Sequence, residues 1–106
     1  MSKEVLEGVL NELPYPVYTE YKFHSKRKFR FDYYIELPNN KSLAIEYEGM
    51  GIKSRHQSFN GFIRDCEKYN LALSLGVPVL RYTFKNLENT EQVKQQILDV
   101  INKIVS

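Results

Sequence analysis

The chain has a single cysteine, Cys66. That excludes an intrachain disulfide and any zinc site built from several thiolates, and it fits a reducing compartment such as the cytoplasm. No apolar run approaches the ~20 residues that a membrane-spanning helix requires, so no membrane partner is expected. The opening Met1-Ser2-Lys3-Glu4 lacks the long apolar stretch of a signal peptide. Repeats, low-complexity tracts and linkers are also missing. A length of 106 residues, 42% of them apolar, reads as one domain, 1–106, with a single core. Net charge is only +2.

The most informative feature present is a set of three carboxylates in strand-like runs. Asp32 lies in Phe29-Arg30-Phe31-Asp32-Tyr33-Tyr34-Ile35, and Glu46 and Glu48 lie in Leu43-Ala44-Ile45-Glu46-Tyr47-Glu48. Side chains two apart on a strand point the same way, so Glu46 and Glu48 share one face, opposite Leu43, Ile45 and Tyr47. Pro38-Asn39-Asn40-Lys41 reads as a turn between the two runs. Pairing them brings the three acids together, and like charges so close repel. A hard divalent cation relieves that repulsion. Mg²⁺, with Mn²⁺ as a substitute, suits a site of few carboxylates that also takes phosphate oxygens.

Basic residues flank these acids. Lys22, Lys26, Arg27, Lys28 and Arg30, with His24, form a run without an acid, and Lys53, Arg55 and His56 follow the acidic pair. A basic run is most simply a solvated loop. Beside metal-binding acids it also fits contact with phosphates, and Lys22, Arg30, Lys53 and Arg55 are the candidate grips.

Periodicity supplies the frame. Val5/Leu6, Val9/Leu10 and Leu13 predict a first helix over 3–13, stopped by Pro14 and Pro16. Strands are predicted over 17–23, 29–37 and 42–48, then a loop over 49–57. In the next helix, with Ser58 or Asn60 as its cap, Phe59, Phe62, Ile63, Cys66, Tyr69/Asn70, Leu73 and Leu75 trace a stripe, and Gly76 suits its C′ position. Residues 77–83 predict a strand, paired in parallel across the helical crossover. Val93, Ile97, Ile101 and Ile104 mark a closing helix over about 90–105. The order α-β-β-β-α-β-α predicts an α/β domain, a mixed central sheet flanked by helices.

These residues resemble the PD-(D/E)XK nuclease superfamily, the restriction-endonuclease-like fold, whose signature is an acid on one strand and acid-x-lysine on the next. Asp32 matches the first acid and Glu46 the second. Residues 20–34 and 44–83 resemble small phage-encoded endonucleases of that superfamily. The likeness is carried by Ala44-Ile45-Glu46-Tyr47-Glu48-Gly49, Arg55-His56, Gly61-Phe62, Asp65-Cys66-Glu67-Lys68-Tyr69-Asn70 and Val79-Leu80-Arg81-Tyr82-Thr83. The motif's lysine position holds Glu48, a residue that some active members carry there. The resemblance implies that Lys68, on the neighbouring helix, stands in for the lysine. It also makes His56 a candidate for acid–base work, as in very-short-patch-repair-like relatives. Glu20, which recurs ahead of the Phe-His segment in resembling proteins, and Glu7, placed like the helix acid of some members, are further candidates. Asp65 and Lys68, one helical turn apart, alternatively pair with each other.

The expected activity is metal-dependent DNA endonuclease chemistry in a phage- or mobile-element setting. Asp32, Glu46 and Glu48 hold the metal, and Glu48 or His56 serves the attacking water. So small a domain has little room to read a long sequence, which favours branched or junction DNA. A homodimer would address both strands. The rival expectation is a non-catalytic nucleic-acid-binding module on the same fold, and a weaker one is a partner-binding regulatory protein.

Overall fold

The computed structural model describes residues 2–49 and 59–106. Their order is α1 (Ser2–Asn11), β1 (Val17–Lys22), β2 (Arg30–Leu37), β3 (Lys41–Gly49), α2 (Phe59–Ser74), β4 (Val79–Thr83), a 3₁₀ turn (Asn86–Glu88) and α3 (Thr90–Val105). The order and kind of the elements match the expectation from periodicity. The loop predicted over 49–57 lies, beyond Gly49, outside the described residues, as does the candidate cap Ser58.

The four strands lie in the order β1-β2-β3-β4, antiparallel except for the parallel pair β3/β4. The β2–β3 connection turns through Asn39 and Asn40, both left-handed (φ 63° and 59°), and the Lys41 N–H closes onto the Pro38 carbonyl at 3.3 Å. Asparagine tolerates that conformation at low cost, which fixes the register of the hairpin. α2 ends in a Schellman arrangement. Gly76 takes φ 83°, the Val77 N–H reaches the Ala72 carbonyl, and the Gly76 N–H reaches that of Leu73.

Each sheet face has its own core. Leu6, Val9, Leu10 and Leu13 from α1, and Val93, Ile97 and Ile101 from α3, cover Tyr33, Ile35, Leu37, Leu43, Ile45 and Tyr82. The other face holds a smaller cluster of Phe31, Ala44, Ala72 and Val77, edged by Tyr21, Phe23, Tyr34 and Val79. Its rings are stacked, Phe23 on Phe31 at 4.0 Å and Tyr21 on Tyr34 at 3.9 Å.

Two irregularities shape the sheet around the acids. Phe31 and Tyr33 are two apart yet fall in different cores, so side-chain alternation breaks at Asp32. The β1/β2 register passes over the same place: Thr19 pairs with Tyr33 and Tyr21 with Phe31, leaving Glu20 and Asp32 out. Glu20 itself is left-handed (φ 49°), a conformation costing a non-glycine residue roughly 1–2 kcal/mol. The β3/β4 register also shifts between Tyr47 and Gly49, which makes Glu48 a bulge residue. Bulges of this kind re-aim a side chain.

The apolar stripe of α2 does not face the sheet. Ala72 is the helix's one buried residue among those described, and Lys68 and Tyr69 also turn inward. Phe59, Phe62 and Leu73 are exposed at 77%, 61% and 66%, with Ile63 and Cys66 exposed beside them.

Candidate active site

The β2/β3 register ends at Tyr33 opposite Ile45, and one further step sets Asp32 opposite Glu46. There the two carboxylates take over from the ladder. The Asp32 N–H donates to Glu46 Oε2 at 2.6 Å, and the Tyr47 N–H donates to Asp32 Oδ2 at 2.8 Å. Each acid thus accepts a main-chain proton from the opposite strand, which fixes both side chains and satisfies two N–H groups the sheet would otherwise leave without partners. The expected meeting of Asp32 and Glu46 is therefore present, with the backbone as the clamp.

Glu46 is 5% exposed. Burial pushes its carboxyl above the usual carboxylate range, and the neighbouring Asp32 charge adds to the rise. The Lys68 ammonium and the Asp32 N–H pull the other way. Lys68 reaches in from α2 to Glu46 Oε1 at 2.5 Å. The Tyr69 hydroxyl lies 3.1 Å from both Glu46 Oε1 and Glu48 Oε2, so its proton is shared between the two acids. Burial and the charges of both acids push the Tyr69 phenol far above its ordinary value, so it stays a donor.

Glu48 is held in turn by Arg81, whose Nε donates to Oε2 at 2.7 Å. This bond raises the guanidinium's already high proton affinity. The Arg81 guanidinium also lies 4.4 Å from the centroid of the Tyr69 ring, a cation–π contact that braces both groups. Tyr69 and Arg81 were not singled out as site residues from the sequence. Arg81 carried a signal, a lone cation in the run Val79-Leu80-Arg81-Tyr82. The parallel register sets it beside Glu46.

The remaining candidates divide. Glu7 accepts the Tyr33 hydroxyl proton at 2.7 Å on the face covered by α1. Burial, that bond, and the charges of Glu7, Asp32 and Glu20 together push the Tyr33 phenol far up. The three acids therefore share an electrostatic neighbourhood. Asp65 sits half-buried on the inward side of α2, where its charge acts on Arg81. Lys22 and Arg30 are exposed and pair as direct cross-strand neighbours at the sheet's end. Lys53, Arg55 and His56 lie outside the described residues.

Among the described residues, no group of three or more His, Cys, Asp or Glu is arranged to share one metal ion. The Asp32/Glu46 pair offers hard carboxylate oxygens, the donor type that Mg²⁺ takes in ones and twos while keeping several waters. The donors fit, on condition that the cation displaces Lys68 from Glu46 Oε1. Among the described residues no helix is long and apolar enough to cross a membrane. No family model, curated protein or solved structure matches the chain.

Proposed function

We propose that the protein is a metal-dependent DNA endonuclease with the restriction-endonuclease-like fold of the PD-(D/E)XK superfamily. The observation that carries the reading is the Asp32–Glu46 clamp at the point where β2 and β3 part, with an ammonium from α2 on Glu46. Packing alone gives no reason to bury a carboxylate beside a second one.

Asp32 and Glu46 would hold Mg²⁺, or Mn²⁺ in its place. The bound cation supplies a Lewis acid for the scissile phosphate and lowers the pKa of water. Tyr69 and Arg81 fix Glu48 through Oε2, which leaves Oε1 to accept the proton of the attacking water. His56 is the alternative base. Lys68, released from Glu46, remains beside the site as a cation for the developing charge on phosphate. Small size favours branched or junction DNA over a long recognition sequence.

A homodimer is part of this reading, supported by the outward face of α2. Phe59 stands seven residues before Cys66 and Leu73 seven after, with the exposed Phe62 and Ile63 four and three before it. Antiparallel packing of two α2 helices about a two-fold axis at Cys66 sets Phe59 against the second copy's Leu73, as an isologous interface requires. Exposed apolar side chains of this number are unusual on a lone domain.

The second reading, a non-catalytic DNA-binding module, is favoured by one observation: both oxygens of Glu46 already have protein donors. Cleavage of linear, nicked and four-way-junction DNA with Mg²⁺ or Mn²⁺ decides between them. Asp32→Asn and Glu46→Gln, which keep an oxygen for the main-chain N–H each side chain accepts, should abolish cutting while the protein stays folded. Binding without cutting by the wild type, on every substrate and with either metal, leaves the module as the better account.

A further inference from the structure

On the α2 face of the sheet, the turn before β2 and the first half of α2 enclose an open concavity of about 480 Å³. It is lined by Lys26, Arg27, Lys28, Phe29, Arg64 and Glu67. Four of these six residues are cations and one is an acid. The arrangement is braced from beneath. The buried Phe29 ring carries the Arg27 guanidinium at 4.4 Å and the Arg64 guanidinium at 5.4 Å from its centroid. His24 Nδ1 accepts both the Lys26 N–H (3.1 Å) and the Arg27 N–H (3.0 Å), which shapes the turn that presents these side chains. The Arg27–Glu67 contact is long, 3.4 Å, and solvent-exposed, so it neutralises little. Lys22 and Arg30 stand directly across from each other at the adjoining strand ends, a like-charge pairing that a shared anion would relieve.

We propose that this concavity is a phosphate subsite for the DNA strand that passes Glu46, taking a backbone phosphate that flanks the reacting one. The identity of the ligand rests on the nuclease reading. Planar guanidinium forks, fixed on a ring, match phosphate oxygens two at a time. Phe29 is covered and offers no bare apolar wall to a small hydrophobic ligand. Arg64 precedes Lys68 by four residues, about 6 Å along the helix axis, so a strand gripped at Arg64 runs directly on to the acids. Glu67 occupies one edge of the subsite and competes with the incoming phosphate for Arg27.

Fluorescence anisotropy with a labelled four-way-junction DNA, in EDTA so that no cutting intervenes, tests this. Arg27→Ala combined with Arg64→Ala should weaken binding at least tenfold. It should also flatten the dependence of log affinity on log salt by about one to two contacts at roughly 0.9 each. Arg64→Lys should recover only part of the loss, and Glu67→Gln should tighten binding. Lys94→Ala, which removes a cation paired with Glu12 just past the end of α1, should change nothing. Junctions carrying one uncharged methylphosphonate at successive positions from the branch point add a second measure. One position should weaken the wild type and leave the double variant unaffected. Unchanged affinity and salt slope in the double variant, or the same methylphosphonate response in both proteins at every position, overturns the subsite. Loss of binding in the variant, with no cutting by the wild type in Mg²⁺ or Mn²⁺, leaves the subsite standing and removes the nuclease reading instead.

Discussion

Replacing Lys68 by Met keeps most of the aliphatic stem and deletes the ammonium that faces Glu46. The two side chains are 15% and 7% exposed and meet at 2.5 Å, so the pair is close to buried. Removing one partner of a buried pair costs about 3–5 kcal/mol, because the other charge is left without compensation. Glu46 retains the Asp32 N–H and the Tyr69 hydroxyl, which places the expected loss near the lower end, about 3 kcal/mol. For a domain of this size that is a fall in melting temperature of roughly 15 °C.

The pH dependence follows from the direction of the Glu46 shift. Its folded carboxyl already lies above the usual range, and Lys68 is one of the groups holding it down. Without Lys68 it rises further. A carboxyl with a raised folded pKa binds its proton more tightly when folded, so stability falls as pH climbs from the unfolded value, about 4.3, through the folded one. The deficit of Lys68→Met should therefore be full at pH 7 and mostly gone at pH 4. Adding Glu46→Gln should restore much of the loss at pH 7. Urea unfolding of the four proteins of this cycle, without divalent metal and at both pH values, measures the coupling. A loss under 1 kcal/mol at pH 7, or the same loss at pH 4, would refute the reasoning. In the nuclease reading, Mg²⁺ should stabilise Lys68→Met more than wild type, since the cation takes the place of the ammonium.

Glu48→Gln should leave DNA binding intact and lower cleavage by about 10²–10⁴-fold, the usual cost of losing a general base, as read from single-turnover rates. Phe62→Glu should convert a dimer into a monomer in sedimentation velocity, with Cys66 crosslinking by a short bis-maleimide lost in parallel; a wild type that is monomeric at high concentration excludes the α2 interface. Gly8 sits in the middle of α1, with open space where a Cβ would stand. Gly8→Ala should therefore raise stability by about 0.5–1 kcal/mol in denaturant unfolding, and a loss would show a packing role for the glycine.

Most of the fold is legible in the chain because its signals are local. Asn39-Asn40 sets a turn, Pro14 and Pro16 bar further helix after Asn11, and Gly76 ends α2. The valines and isoleucines of α3 fall on one side of a helix that packs where its pattern indicates. Strand alternation placed Glu46 and Glu48 on a common face, and both meet Tyr69 there. Other features were not legible. The break in alternation at Asp32 falls at the same step of the β1/β2 register as the left-handed Glu20, and no residue type points to either, since glutamate is not a residue expected at positive φ. The orientation of α2 was equally hidden. Its apolar stripe is regular, but the sheet beneath it carries Glu46 and Glu48, and the helix turns Lys68 and Tyr69 towards them. Periodicity reports that a helix has two faces; which face a sheet takes depends on the partner.

In the nuclease reading, the same partnership explains how a glutamate is accommodated at the position where the signature of the proposed superfamily has lysine. Of the charged side chains tied together by hydrogen bonds at the site, three are carboxylates (Asp32, Glu46, Glu48) and two are cations (Lys68, Arg81), a formal sum of one negative charge. In the nuclease reading a divalent cation brings that sum to +1, and a phosphodiester brings it to zero. With lysine at position 48 and the other residues unchanged, the sum would start at +1 and reach +3 with metal. Arg81 would then face a like charge in place of the acid that now holds it. The glutamate is thus matched to a site whose cations come from α2 and β4, and a lysine at position 48 fits only if Arg81 changes with it. Glu48→Lys alone should bind DNA without metal and take Mg²⁺ weakly, whereas Glu48→Lys with Arg81→Gln lowers the starting sum to zero and should recover metal affinity. Calorimetric titration of Mg²⁺ into the two variants distinguishes them, and equal affinities would mean that the site does not respond to its summed charge.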